Sequence, residues 1–120
     1  KQEIAVGQAF NLDNILFDAG KADLKKESKP ELDKVVAFLQ ANPNAEIELS
    51  GHTSSEGEAA MNRSLSYRRV KACKDYIVSK RIDAGRIIAV GYGPDRPVAS
   101  NADEAGRKQN RRVELRVVKN

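Results

Sequence analysis

The sequence predicts an α+β domain with the element order β-α-β-α-β-(short α)-β. Segments of period-two alternation, which indicate strands, take turns with segments of helical periodicity along the 120 residues. Helices that connect successive strands favour a partly parallel sheet. We therefore expect a four-stranded sheet of mixed parallel and antiparallel strands, with the helices packed on one face.

The first strand and the first helix are predicted from an apolar run and a capping pattern. Residues 14–17 form a short apolar run, typical of a buried strand entering a turn. Ser28 and Glu31 have capping-box spacing, and Pro43 disfavours helical geometry in the residue before it. The apolar residues between them have helical spacing: Leu32, Val35, Val36 and Leu39. We therefore expect an amphipathic helix that ends at Asn42.

The middle of the chain predicts a strand, a loop and a long helix. Residues 45–50 alternate between polar and apolar side chains, as a half-buried strand does, and 51–57 is a loop of small and capping residues. Helical periodicity returns from about residue 58 to residue 79. The predicted core-facing stripe of this helix consists of Met61, Leu65, Ala72, Cys73, Tyr76 and Ile77.

The last third of the chain predicts a strand, a short helix and a final strand. Residues 86–90 form a β-branched run that a glycine-rich turn closes. Asn101, with Glu104 at the third position, is predicted to cap a short helix near 106–110. Residues 112–117 alternate as a strand whose outward side chains are Arg112, Glu114 and Arg116. We assign 1–13 to a linker end or short edge strand, and 14–120 to the domain.

Composition excludes several function classes. Hydrophobic residues at 40%, charged residues at 32% and a mean hydropathy of -0.58 describe a globular domain, neither disordered nor membrane-spanning. The lone Cys73 excludes an internal disulfide and a multi-cysteine zinc site, and we interpret it as a small core residue. The single His52 is interpreted as a loop-stabilising hydrogen-bonding residue, so we expect no metal and no cofactor. Because Lys1 begins the chain without a leader pattern, we expect a mature or excised piece.

Charge divides the chain into two unlike halves. Residues 1–60 hold 6 lysines and 11 acids, whereas residues 61–120 hold 15 basic residues, including all ten arginines, and 6 acids. The guanidinium suits bidentate capture of a carboxylate or phosphate, so the second half indicates an anionic partner or ion pairs between the halves. Arg69 stands out because it lies on the apolar stripe of the long helix and needs a partner at the helix edge. That partner is either an acid of the first half or a ligand.

Four motifs then occur in a fixed order along the chain. They are Gly51-His52-Thr53, Asn62-Arg63-Ser64-Leu65-Ser66-Tyr67-Arg68-Arg69, Gly91-Tyr92-Gly93-Pro94 and Gly106-Arg107-Lys108-Gln109-Asn110-Arg111-Arg112-Val113. Together with Phe17-Asp18 and residues 97–101, they closely resemble the OmpA-like C-terminal domain over about residues 14 to 118. This family includes outer-membrane protein A, the peptidoglycan-associated lipoprotein Pal and the stator protein MotB.

The resemblance implies a non-catalytic domain that grips the peptidoglycan stem peptide at diaminopimelate. It implies a location in the periplasm, associated with the outer membrane of a Gram-negative-type envelope, without insertion of this domain into a membrane. The parent protein would be outer-membrane associated and anchored to the cell wall. Whether the parent has a β-barrel, a lipid anchor or an inner-membrane helix does not follow from the sequence, nor does the oligomeric state.

The resemblance also assigns the ligand-binding residues. By matching position, Arg69 resembles the arginine that binds the ligand carboxylate, Asn62 a residue lining the pocket, and Arg111 the basic residue from the last motif. Asp18 and Thr53 would complete the rim.

Ser54 departs from the family's pattern, which has an aspartate after Gly-His-Thr to receive the ligand ammonium. A neutral acceptor contributes ~1 kcal/mol where a charged one contributes ~1.5–3 kcal/mol. We therefore expect weakened or altered recognition, with Glu56 or Asp18 as alternative sources of the charge, or a different stem peptide as ligand.

Two other function classes remain as alternatives. The pI of about 9.3 favours a nucleic-acid-binding module, but no aromatic cluster is interleaved with the arginines, so we expect no nucleic acid as partner. A glycosidase would need a carboxylate pair, for which Asp18 and Glu56 are conceivable, yet nothing in the sequence fixes their spacing. We therefore expect a binding domain and not an enzyme.

Overall fold

The computed structural model of the chain describes residues 6–13, 15, 17 and 20–120. Its helices and strands follow in the order β1 (Ala9–Asn11), α1 (Lys29–Ala41), β2 (Glu46–His52), α2 (Ala59–Ser79), β3 (Ile87–Gly93), α3 (Glu104–Asn110) and β4 (Arg112–Lys119). Short 3₁₀ turns at Lys26–Ser28 and Ala84–Arg86 precede α1 and β3.

The four strands form a single mixed sheet in the order β1-β4-β2-β3. Strands β2 and β3 run parallel, as the intervening helix α2 requires, while β4 is antiparallel to both of its neighbours. The predicted α+β class with a mixed four-stranded sheet is confirmed.

The sheet has one apolar and one polar face. On the apolar face, which α1 and α2 cover, alternate residues of β2 and β4 are buried, and each such side chain contributes about 1.5–3 kcal/mol. On the polar face Arg116 donates to Glu48 across the strands at 3.1 Å, and Arg112 pairs with Glu114. The buried apolar core consists of Leu32, Val35, Val36, Leu39, Ala45, Ile47, Leu49, Val70, Cys73, Ile77, Ile82, Ile87, Val113, Leu115 and Val117.

Helix α1 begins at Lys29, but the predicted capping box does not form. Ser28 has helical backbone angles and makes no side-chain cap bond. Its N–H already donates to the carbonyl of Lys25 in the preceding 3₁₀ turn, so it lacks the extended conformation of an N-cap. The helix ends at Ala41, as Asn42 and the proline after it predicted.

Arg86 joins the end of α1 to the strands. Its Nε donates to the carbonyl of Ala45 at 2.9 Å, and its Nη2 donates to those of Leu39 and Asn42 at 2.8 and 2.7 Å. The last carbonyls of a helix have no partner within the helix, so this guanidinium satisfies groups that would otherwise be left unpaired.

Helix α2 lies directly against glycines of the sheet. A Cβ on Gly91 would lie 2.4 Å from the backbone nitrogen of Tyr67, and one on Gly51 would lie 2.6 Å from the carbonyl oxygen of Ser66. The helix therefore approaches the sheet through small residues, and its buried residues are Ser66, Val70, Cys73 and Ile77. The predicted stripe was wrong at Met61, which is 66% exposed.

The first strand of the sheet does not lie in the apolar run that predicted it, but within residues 1–13, for which a short edge strand was one of two interpretations. It is Ala9–Asn11, which pairs with β4, and not residues 14–17. Ile15 and Phe17 lie outside any strand, half-buried against the core, and the other two residues of that segment lie outside the described residues. The N–H of Ile15 bonds back to the carbonyl of Leu12, so the chain has already turned out of the sheet. The described residues of the apolar run therefore pack against the core instead of pairing with a strand of the sheet.

Two boundaries near the end of the chain also differ. The strand Ile87–Gly93 continues through the predicted glycine turn, because these glycines allow α2 to lie against the strand. Helix α3 begins at Glu104, and its N-cap is Asp103, whose Oδ1 accepts from the N–H of Gly106 at 2.8 Å. The side chain of the predicted cap, Asn101, instead accepts from Nδ2 of Asn110 at 2.9 Å.

Candidate functional site

One cavity of about 600 Å³ opens where the carboxyl end of β2 meets the first half of α2. Four parts of the chain contribute to its wall: the segment after β1, the loop after β2, helix α2 and the start of β4. Its polar lining includes Asn11, Asp13, Thr53, Ser54, Glu56, Asn62, Arg69, Arg111 and Arg112, and its apolar lining includes Leu12, Ile15, Phe17, Leu65 and Val113.

Five of the six residues assigned by resemblance lie in the wall of this one cavity. Thr53 and Ser54 come from the loop, Asn62 and Arg69 from α2, and Arg111 from the junction of α3 with β4. The sixth, Asp18, lies outside the described residues.

Contacts with Lys21 and Phe17 help to orient the Arg69 guanidinium. Its Nε donates to the carbonyl oxygen of Lys21 at 2.8 Å, and its Cζ lies 4.9 Å from the centre of the Phe17 ring, within range of a cation–π interaction. Burial, and then the charge of Arg68, lower the pKa of Arg69 below its ordinary value. A guanidinium nevertheless stays protonated in proteins, so this side chain contributes a positive charge to a partly desolvated wall.

The loop after β2 turns its polar groups inward. Thr53 and Ser54 are buried, and the Thr53 hydroxyl donates to the carbonyl of Ser54 at 2.8 Å. The Ser54 hydroxyl lies 3.4 Å from Oε1 of Glu56, and Nδ2 of Asn62 donates to the Glu56 carbonyl at 2.7 Å. The first turn of α2 therefore holds the loop at the mouth of the cavity.

Two carboxylates and two arginines form a cluster at this mouth: Glu56, Glu104, Arg107 and Arg111. Arg111 Nη2 pairs closely with Glu104, and Arg107 Nε lies 3.1 Å from Glu104 Oε1. These bonds, Arg111 first and then Arg107, hold the pKa of Glu104 below its ordinary value. Sequence reasoning gave Glu104 only a role in starting α3 and missed its pairing with the arginines, although its i,i+3 spacing to Arg107 on a short helix was a signal.

A buried asparagine ties α3 to the same loop, and sequence reasoning also missed it. The side-chain oxygen of Asn110 accepts from the N–H groups of Val98 and Ala99 at 2.7 and 3.0 Å, and its Nδ2 donates to Oδ1 of Asn101 at 2.9 Å. That same Oδ1 lies 3.3 Å from the backbone N–H of Ser55. The loop beside the cavity is therefore anchored on two sides, by α2 and by Asn101.

His52 is a buried neutral residue. Its Nε2 lies 3.0 Å from Oγ of Ser50, and its ring stacks on Tyr92 with 5.4 Å between centres. Burial, and then the charge of Arg112, lower the pKa of His52 to about 4. Its hydrogen bond is made within β2, at the end of the strand, and Nδ1 has no partner among the described residues. No group of three or more metal-ligating side chains occurs in the described part of the chain.

Comparison with known proteins adds a family and several relatives. The profile of the OmpA family matches residues 16–111 of the chain. The chain is 42% identical over 104 residues to outer membrane porin F of Pseudomonas fluorescens, covering 87% of this chain and 32% of the porin. It is 40% identical over 100 residues to the peptidoglycan-associated lipoprotein of Pseudomonas putida, covering 83% of this chain and 60% of the lipoprotein. The chain thus spans less than two thirds of the length of these relatives.

A solved structure agrees with the sequence matches. The cell wall anchor of the T6SS from Pseudomonas aeruginosa superposes with a TM-score of 0.79 at 29% identity, covering 93% of this chain and 80% of the anchor. Within the described residues, no helix has both the length and the apolar character that crossing a membrane requires.

Proposed function

Because the chain belongs to the OmpA family, we propose that it is a non-catalytic domain that binds peptidoglycan in the periplasm and anchors its outer-membrane-associated protein to the cell wall. Two similar proteins support this role through their names: a peptidoglycan-associated lipoprotein, 40% identical, and a cell wall anchor, 29% identical. The proposed ligand is the diaminopimelate of the stem peptide, whose free end carries one carboxylate and one ammonium on the same carbon.

The observation that carries this proposal is an oriented arginine in the wall of a polar cavity. Arg69 is held by the Lys21 carbonyl and the Phe17 ring, so little side-chain entropy is lost when it pairs with a carboxylate. Arginine–carboxylate pairs are often bidentate and roughly twice as strong as neutral hydrogen bonds. Arg69 therefore serves as the carboxylate-binding residue.

The ammonium of the ligand needs hydrogen-bond acceptors in the same cavity. The loop at Thr53 and Ser54 and the side chain of Asn62 provide them, since Nδ2 of Asn62 is already bonded and its oxygen has no partner among the described residues. Asp18 is retained in the proposed rim on the resemblance alone, and Arg111 lies beside the loop as the basic residue of the last motif. The neutral Ser54 predicts weaker ammonium binding than an aspartate would give.

The arginines of the second half support this reading over nucleic-acid binding. Arg86, Arg112 and Arg116 all donate to carbonyls or carboxylates of the domain itself. Pairs between the two halves of the chain, such as Arg116 with Glu48 and Lys119 with Glu46, use part of the positive charge internally. Several basic residues of the second half thus stabilise the fold itself, and their number is no argument for a nucleic-acid partner.

The test is calorimetric titration with a stem tetrapeptide that contains diaminopimelate and with its lysine analogue, which lacks the free carboxylate. The native domain is expected to bind the diaminopimelate peptide at least tenfold more tightly, because Arg69 pairs only with the former. Arg69→Ala is expected to abolish binding while the thermal midpoint falls by only a few degrees. The matched control is Arg68→Ala, which removes an exposed arginine one residue away that lies outside the cavity wall.

Two results would overturn the proposal. One is saturable binding by Arg69→Ala with the native affinity. The other is a native domain that binds neither peptide, in which case the fold would serve a different envelope ligand.

A further inference from the structure

The two carboxylates of the cluster at the cavity mouth are not equivalent. Glu104 makes the close contacts with Arg107 and Arg111, whereas Oε1 of Glu56 lies 3.7 Å from Arg107 Nε and 3.5 Å from Arg111 Nη1. Both carboxylates are about equally exposed, at 62% and 63% of their side-chain surface. Only Glu56 lies in the cavity wall.

All three side-chain contacts of Glu56 fall on the same oxygen. The hydroxyl of Ser54 and the two arginines approach Oε1 at 3.4 to 3.7 Å. The side-chain hydrogen bonds of Glu56 among the described residues are made by Oε1 and not by Oε2. A carboxylate bound on one side only retains acceptor capacity on the other, since an ionised glutamate has about four lone-pair sites.

The backbone of Glu56 is fixed on both sides. Its carbonyl accepts from Nδ2 of Asn62 at 2.7 Å, and the preceding Ser55 donates its N–H to Asn101 at 3.3 Å. Asn62 also ties this position to the helix that carries Arg69, seven residues and about two turns further on. The negative charge of Glu56 and the positive charge of Arg69 therefore belong to one cavity wall, at positions set by the same helix.

The geometry points to Glu56 as the specificity-determining residue of this cavity: its Oε2 accepts the ammonium of a zwitterionic ligand whose carboxylate pairs with Arg69. This inference rests on the proposed function and names the acceptor that Ser54 alone does not supply. Ser54 acts as a positioning residue, because its hydroxyl oxygen lies 3.4 Å from Oε1 of Glu56. Glu104 is the structural counterpart, since it holds the same two arginines from outside the cavity.

The experiment uses three stem tetrapeptides that differ only at the third residue. Diaminopimelate carries both free charged groups, 2-aminopimelate keeps the free carboxylate without the ammonium, and lysine keeps the ammonium without the carboxylate. Each is titrated calorimetrically into the native domain, Glu56→Gln and the matched control Glu104→Gln. Both variants remove one carboxylate from the same pair of arginines. Because Glu104 makes the closer contacts, Glu104→Gln is the more severe test of any effect that acts through Arg107 and Arg111.

Glu56→Gln is expected to lower the affinity for the diaminopimelate peptide about tenfold. Its affinity for the 2-aminopimelate peptide is expected to stay within about twofold of the native value. Glu104→Gln is expected to change the affinities for both peptides by the same small factor. Adding Ser54→Asp to Glu56→Gln is expected to restore most of the lost affinity, because it returns a negative charge to the same loop.

The inference is overturned if Glu56→Gln lowers the affinities for the diaminopimelate and 2-aminopimelate peptides equally, since Glu56 would then act only by holding the arginines. It is also overturned if Glu56→Gln leaves the diaminopimelate peptide at native affinity. Both outcomes differ from failure of the proposed function, in which the native domain binds no peptide or Arg69→Ala binds as the native domain does.

Discussion

A half-buried arginine lies at each end of the parallel strand pair β2–β3, and the two arginines have different roles. At the amino ends, Arg86 donates to three backbone carbonyls and joins α1 to the sheet. At the carboxyl ends, the Nε–H of Arg69 donates to the Lys21 carbonyl, its guanidinium lies over the Phe17 ring, and the side chain lies in the wall of a cavity. The comparison teaches that burial alone does not distinguish a structural arginine from a binding one, whereas the groups around the guanidinium do.

The largest expected effect is at the amino end. Arg86→Ala leaves three carbonyls without their donor, and we expect the free energy of unfolding to fall by about 3 kcal/mol. Urea denaturation measures this loss, with Arg68→Ala as the exposed control. Ligand affinity of the molecules that remain folded is expected to stay native, and a large loss of affinity would show that the two ends are not independent.

A smaller effect is expected at the carboxyl end as pH falls. The pKa of His52 is about 4 in the folded protein and about 6.5 in an unfolded chain, so the unfolded state binds the proton first. The corresponding stability, about 2–3 kcal/mol, is fully present above pH 6.5 and is lost as pH falls from 6.5 through 4.

His52→Phe keeps an aromatic ring on Tyr92 and removes the titration. Denaturation midpoints of the native and variant domains, measured from pH 7 to pH 4, are expected to converge as pH falls. Parallel curves would contradict the assignment of this pH dependence to His52.

The smallest expected effect is on the core between the two ends. Burial raises the pKa of the Cys73 thiol to about 12, so at pH 8 it reacts with iodoacetamide only after the domain opens. Arg69→Ala is expected to leave the labelling rate within about threefold of native, because the core does not depend on that contact. Arg86→Ala is expected to raise the rate strongly, and equal rates in the two variants would remove the distinction between the ends.

Periodicity was enough to predict much of the fold. Leu32, Val35, Val36 and Leu39 recur at helical spacing and are all buried on α1, and strand β4 alternates as predicted. The strand β3 was predicted too short, because glycines that permit close helix packing look the same in sequence as glycines that make a turn. Met61 was predicted in the core for a related reason. The face of α2 that lies against the sheet is set by small residues that allow close approach, and hydrophobicity alone does not identify that face.

The cavity residues were predicted from motif resemblance and not from local pattern. Arg69 did stand out as a charge on an apolar stripe, but its contacts with Lys21 and Phe17 come from a distant part of the chain. The contacts that Asn101, Arg107 and Arg111 make with the loop likewise depend on how α3 meets residues 53–58, which no spacing rule specifies. Their roles become visible only when tertiary contacts are known.

Gly91 shows which positions of this domain tolerate substitution poorly. Its Cα lies so close to the backbone of Tyr67 that any added side chain would force α2 away from the sheet. Arg69 is two residues further along the same helix and would move with it. A substitution at Gly91 would thus alter distances inside a cavity whose wall it does not join, so distance from the cavity is a poor guide to mutational tolerance in this domain.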